Sequence, residues 1–149
     1  MRWISVLLAW SLAVVTAVLL GSALQTQFNL ANLVALDVPI SLMQRLEAIW
    51  HDWQNFAPIY AILIAITFLI AWLVAGSLNR IWPEWRTPLF VLAGGLSIWA
   101  LLVIMKGVLP ITGIAATRTG AGVLALSVAG ALAGWLYASI APRPERSAG

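Results

Sequence analysis

The sequence lacks most of the groups that carry out chemistry in proteins. It has no cysteine, one histidine, and charged residues amount to 9% of the chain. The absence of thiols excludes disulfides, thiol nucleophiles and metal sites built on cysteine. His51 has no second histidine at ligand spacing, so we predict no metal and no cofactor. A Ser-His-Asp site is disfavoured, because His51 and Asp52 are neighbours that point about 100° apart on a helix. The protein is therefore expected not to be an enzyme.

The scarcity of charge accompanies an excess of apolar side chains. Hydrophobic residues form 62% of the 149-residue chain, and the mean hydropathy is +0.98. A soluble domain carries roughly 25% charged residues, so a water-soluble fold is excluded. The net charge of +3 comes without a basic cluster, which argues against a nucleic-acid partner.

Four apolar blocks, each about 20 residues long, are separated by short polar segments. At 1.5 Å per residue a helix of that length crosses a hydrocarbon core of about 30 Å. The sequence therefore predicts an all-α integral membrane bundle of four transmembrane helices in a single domain over residues 1–141, followed by a mobile tail over 142–149. The first block also resembles a signal peptide, but its length favours a retained helix. The predicted spans are 3–24, 58–78, 89–109 and 121–140.

Charge asymmetry between the two ends of the predicted bundle indicates its orientation. Five arginines lie at the end that holds both termini: Arg2, Arg80, Arg86, Arg143 and Arg146. Three basic residues lie at the other end: Arg45, Lys106 and Arg118. The positive-inside rule then predicts a multi-pass protein of the cell inner (plasma) membrane with both termini in the cytoplasm.

The longest connection, between the first and second blocks, has an amphipathic pattern. Ser41 and Gln44 form a capping box after Pro39, and apolar residues then recur at helical spacing as far as Phe56. We predict an amphipathic helix over about 39–56 that lies on the outer membrane surface or caps the bundle. Four titratable residues in this connection are candidate polar partners for the outer ends of the other helices: Asp37, Glu47, His51 and Asp52.

Two of the blocks carry small residues at four-residue spacing, which lets helix backbones approach closely in lipid. The first block contributes Ala9, Ala13, Ala17 and Gly21, and the fourth contributes Gly122, Gly130 and Gly134. Two interpretations are open. These faces pack together inside one protomer, or they pack against a second copy of the chain in a homo-oligomer.

The outer ends of the third and fourth blocks form the best candidate for a ligand site. Lys106 is followed by an apolar segment that either extends the helix past Pro110 or forms a re-entrant or interfacial turn. Lys106, Arg118, Thr119 and the first amides of the fourth helix would together hold a lipid phosphate or another anion. In the competing interpretation Lys106 extends to the headgroups and Arg118 pairs with an acidic residue near the amphipathic helix.

These features predict a small polytopic membrane protein that binds lipid or another apolar ligand, or that serves as an assembly or accessory subunit. No ionisable residue lies near the middle of any block, which disfavours proton-coupled transport. The predicted partners are membrane lipids and either a second copy of the chain or another membrane protein. The alternative function is a passive channel or small carrier formed by oligomerisation and lined by hydroxyl groups from Ser11, Thr16, Thr67, Ser97 or Ser127.

Overall fold

A computed structural model describes residues 2–108 and 114–143. This part of the chain contains five α-helices and no strand. Four of the helices are long and apolar enough to span a membrane, which confirms the prediction of an all-α protein with four membrane-length helices. The helices are α1 (Arg2–Val34), α2 (Leu42–Asn55), α3 (Ala57–Ile81), α4 (Arg86–Val108) and α5 (Gly120–Ile140).

The four long helices pack in chain order around a common core. α1 contacts α3, α3 contacts α4, α4 contacts α5, and α5 returns to contact α1. α3 and α5 both begin beside the later part of α1, where Gly21 faces Tyr60 and Gln25 binds Ala116. A short turn joins α3 to α4, so successive long helices run in opposite directions. One end of the bundle, called here the terminal end, therefore holds the start of α1 and the end of α5. The opposite end, called the α2 end, holds α2 and a short 3-10 turn over Ala115–Arg118.

The first helix is longer than its apolar block. Its predicted span stops at Leu24, whereas α1 continues through Gln25, Thr26 and Gln27 and ends at Val34 after 33 residues. At 1.5 Å per residue this helix is about 50 Å long, against a hydrocarbon core of about 30 Å. α1 therefore extends well beyond the length of a membrane crossing, and α2 packs against it.

Asp37 ends α1 through its backbone. Its φ of 61° is the one positive value for a non-glycine residue in the described part of the chain. The Asp37 N–H donates to the Val34 carbonyl at 3.1 Å, and the Val38 N–H donates to the Leu33 carbonyl at 3.2 Å. These two bonds form a Schellman motif, in which aspartate is one of the few residues that tolerate the left-handed position. The sequence predicts Asp37 as a polar partner for the other helices. In the structure its backbone terminates α1.

α2 forms where the capping box predicts it. The Ser41 hydroxyl accepts from the Gln44 N–H at 3.3 Å, and the Gln44 side chain accepts from the Ser41 N–H at 2.8 Å. None of its residues is fully buried, although α2 contacts both α1 and α3. Its apolar residues divide between a half-buried set that faces the bundle and an exposed strip. The exposed strip consists of Leu42, Met43, Leu46 and Trp50.

The small residues of α1 and α5 pack inside the protomer. Ala9, Ala13 and Ala17 are fully buried, and a Cβ added to Gly21 would lie 2.8 Å from the Tyr60 ring. On α5, a Cβ at Gly134 would overlap the Phe90 carbonyl, and one at Gly122 would overlap the Ala116 carbonyl. A Cβ at Gly130 would lie 2.5 Å from the carbonyl oxygen of Gly94, a glycine of α4 that the four-residue rows do not include. Within the described residues the rows therefore serve intramolecular packing.

Candidate functional site

A groove of about 760 Å³ runs along the outward side of the α4 and α5 pair. We call it the α4/α5 groove. Its walls are exposed apolar side chains from both helices, and its floor contains small residues. It is lined by Val91, Leu92, Gly95, Leu96, Trp99, Leu102, Val103, Lys106, Thr117, Gly120, Val123, Leu124, Ser127, Val128 and Ala131.

The floor of the groove is apolar and depends on the absence of a side chain at Gly95. A Cβ there would lie 3.4 Å from the Ser127 carbonyl oxygen and 3.5 Å from the Ala131 Cβ. The Ser127 hydroxyl donates to the Val123 carbonyl of its own helix at 2.8 Å. Because this hydroxyl is satisfied internally, it adds little polarity to the groove.

Lys106 is the single charged residue among the described residues that line the groove. It lies in the last turn of α4, at the α2 end, where a cation is favoured by the helix dipole. Its side chain is exposed. Thr117 and Gly120 line the same mouth, and the exposed Arg118 lies between them in the sequence. The groove therefore has one cationic end and an otherwise apolar length.

Thr119 has a structural role at this mouth. Its hydroxyl accepts from the Gly122 N–H at 3.1 Å and so caps the N-terminus of α5. The three residues predicted to hold a phosphate, Lys106, Arg118 and Thr119, thus lie at the same end of the α4 and α5 pair. Between α4 and α5 the structure describes a 3-10 turn over Ala115–Arg118. The predicted helix extension or re-entrant turn falls mainly on residues 109–113, which lie outside the described residues.

Polar side chains of α1 bind the elements around the α2 end. The Thr26 hydroxyl lies 2.6 Å from a carboxylate oxygen of Asp52. The Gln25 side chain accepts from the Ala116 N–H at 2.8 Å, and the Gln27 side chain accepts from Arg45 at 2.9 Å. We call these three α1 residues and their partners the polar seam. Asp52, predicted as a polar partner for the other helices, bonds to α1 through Thr26, and Arg45 bonds to α1 through Gln27.

The remaining titratable residues of α2 are at its surface. His51 is 73% exposed, with its Nδ1 3.8 Å from a carboxylate oxygen of Asp52. Glu47 is also exposed. In the described part of the chain no group of three or more histidine, aspartate or glutamate residues is placed to hold a metal ion.

Arg86 forms a buried cap at the terminal end. Its Nε donates to the Ala138 carbonyl at 3.2 Å, and one terminal nitrogen donates to the Ala141 carbonyl at 2.7 Å. The guanidinium also lies 5.6 Å from the centre of the Phe90 ring. These bonds satisfy one carbonyl in the last turn of α5, which has no partner within the helix, and the carbonyl of Ala141 directly after it. Sequence reasoning treats Arg86 only as a topology-determining charge, and nothing local in the sequence indicates this second role.

The chain matches no protein-family model, no curated protein and no solved structure. The geometry of its own residues is therefore the basis for a functional proposal.

Proposed function

We propose that this chain is a multi-pass inner-membrane protein that binds an anionic lipid in the α4/α5 groove, with Lys106 against the lipid phosphate. One observation carries the proposal: a single cation at one mouth of a groove that is otherwise apolar. A lipid has the matching chemistry, because its charge is confined to one end and its remaining length is hydrocarbon.

The outward faces of the long helices support a membrane location. On α3 alone, Ile62, Ile66, Leu69 and Leu73 are each more than half exposed. A continuous apolar surface of this kind is unfavourable in water and is normal against lipid tails. The exposed apolar strip of α2 then lies at the membrane interface, as expected for an amphipathic helix at the end of a membrane bundle.

We place the terminal end in the cytoplasm. Arg80 and Arg143 are exposed there, and Arg86 is at the same end. Over the whole sequence five arginines are assigned to this end and three basic residues to the other, which is the direction that the positive-inside rule favours. Lys106 and Arg118 then lie at the headgroup level of the outer leaflet, where the dipole of α5 also favours an anion at its N-terminus.

The alternative of a channel receives no specific support from four of the five hydroxyls predicted to line it. Those of Thr16, Thr67, Ser97 and Ser127 each donate to a backbone carbonyl of their own helix, at 2.7 to 3.1 Å. The hydrogen of each such hydroxyl is bonded to its own helix backbone, so these side chains do not require a polar path.

The proposal is tested by replacing both Lys106 and Arg118 with glutamine and measuring the anionic phospholipid that copurifies in mild detergent. A cation near a lipid phosphate contributes on the order of fivefold in affinity, so two cations together contribute about thirtyfold. The double variant should therefore lose most of its bound lipid. Lys106→Arg should retain binding, and Arg80→Gln removes a charge at the opposite end as a matched control.

Unchanged lipid content in the double variant would contradict the proposal. If another membrane protein copurifies, and is lost when groove residues are substituted, while lipid does not copurify, the accessory-subunit function replaces lipid binding. Ion or solute flux in reconstituted vesicles would instead establish the channel.

A further inference from the structure

The α4/α5 groove is longer than one leaflet of a membrane. Its α4 wall extends from Val91 to Lys106, which is about 22 Å at 1.5 Å per residue. Half of the hydrocarbon core is about 15 Å. With the Cα of Lys106 at the edge of the hydrocarbon core and its ammonium group extending to the headgroups, the far end of the groove lies about 7 Å beyond the membrane midplane. A diacyl phospholipid whose tails end near the midplane would leave that end unfilled.

The groove follows a single seam between two helices. The close contact of Gly94 with Gly130 holds α4 and α5 together, so the groove offers one line along which a tail can lie. Its floor is the line of Gly95, Ser127 and Ala131.

Trp99 gives an independent indication of an occupant at mid-depth. Its side chain is 50% exposed and lines the groove. It lies about 5 Å from the middle of the apolar helical stretch Pro83–Val108. Tryptophan prefers the membrane interface, where its N–H meets polar groups. An indole exposed at this depth is more readily explained as the wall of a binding groove than as a lipid-facing residue.

We infer that the ligand is a single-chain lipid phosphate whose tail is longer than one leaflet, of the polyprenyl phosphate class. The phosphate contacts Lys106, and the tail follows the small-residue floor past Trp99 and Gly95 to Val91. This inference rests on the proposed function and narrows its ligand. Diacyl phospholipids share the anionic head but not the single long tail.

The test uses Gly95→Leu, which places a side chain on the floor close to the midplane. The first added carbon, the Cβ, would lie at ordinary contact distances from its neighbours. Val128→Trp obstructs the same depth from the opposite wall, at a residue that is 49% exposed. Gly76→Leu on α3, where a Cβ meets nothing within 4 Å, is the matched control.

Binding of two probes to the purified protein is measured by native mass spectrometry: a polyprenyl phosphate, and dodecyl phosphate, whose chain is about as long as one leaflet. The native chain should prefer the polyprenyl phosphate by about tenfold. Both groove variants should abolish that preference by lowering the affinity for the polyprenyl phosphate more than that for dodecyl phosphate, whereas Gly76→Leu should alter neither affinity.

The outcomes separate the two proposals. If the native chain binds dodecyl phosphate, phosphatidylglycerol and polyprenyl phosphate equally, through Lys106, the lipid-binding function stands and the long-tail inference is overturned. The same holds if the groove variants weaken both probes alike. If no lipid phosphate binds in a way that depends on Lys106, the proposed function itself fails.

Discussion

Adding one methyl group at Gly130 should separate α4 from α5. In Gly130→Ala the new Cβ would lie 2.5 Å from the Gly94 carbonyl oxygen and 2.6 Å from the terminal carbon of Ile98. A carbon in close contact with a carbonyl oxygen needs about 3.3 Å. The two backbones must therefore move apart by about 0.8 Å, because a backbone carbonyl cannot rotate away as a side chain can.

The energetic effect follows from that displacement. A gap of 0.5 to 1 Å forfeits about a quarter to a half of the dispersion energy between the atoms that face each other. In lipid, dispersion between close helices is the main attraction that holds them together. We expect Gly130→Ala to destabilise the bundle by about 1 to 3 kcal/mol, the usual range for overpacking. Gly134→Ala should destabilise the bundle at least as much, since its Cβ overlaps the Phe90 carbonyl more deeply.

The measurement is reversible unfolding in mixed micelles, followed by far-ultraviolet circular dichroism. Gly76→Ala is the control, because it makes the same chemical change where a Cβ meets nothing within 4 Å. It should leave stability unchanged or raise it by up to about 1 kcal/mol through helix propensity. Equal stability of Gly130→Ala and Gly76→Ala would refute the packing argument. A change in oligomer size without a change in protomer stability would indicate a contact between copies instead.

Two further predictions concern the α2 end. The left-handed backbone at Asp37 favours glycine, so Asp37→Gly should leave stability unchanged or raise it by about 1 kcal/mol. Asp37→Val should lower stability by about 1 to 2 kcal/mol. A loss of stability in the glycine variant would contradict the Schellman assignment. Thr26→Val keeps the shape of the side chain but removes the hydroxyl bonded to Asp52, and should weaken the attachment of α2 by about 1 to 2 kcal/mol. Faster amide exchange confined to α2 is the expected result, and unchanged exchange would show that this bond does not hold the helix.

The helices of this chain could be predicted because their signals are local. An apolar run of about 20 residues has few structural solutions other than a membrane-length helix. α2 is similarly marked by Ser41 and Gln44, which are three residues apart and close their own capping box. The true length of α1 could not be predicted in this way. Gln25 and Thr26 look like the end of a span, but their partners, Ala116 and Asp52, are 91 and 26 residues away.

The sequence predicts the charged end of the candidate site but not the groove itself. A lysine near the end of an apolar run, such as Lys106, points to the headgroup level without any knowledge of packing. The α4/α5 groove requires the register of one helix on the other, and that register depends on Gly94 meeting Gly130. The spacing of small residues on α5 indicates a close contact but not which helix provides its partner.

The mouth of the groove is shaped by a helix that does not line it. Ala116 is bound on both sides: its N–H donates to Gln25 of α1, and its carbonyl packs against Gly122 of α5. This fixes the turn whose next residue, Thr117, lines the groove at the same end as Lys106. The polar seam of α1 thus holds the 3-10 turn in place beside the cationic end of the groove. The apparent irregularity of the first helix, polar residues beyond its apolar block, is explained by this function at the α2 end.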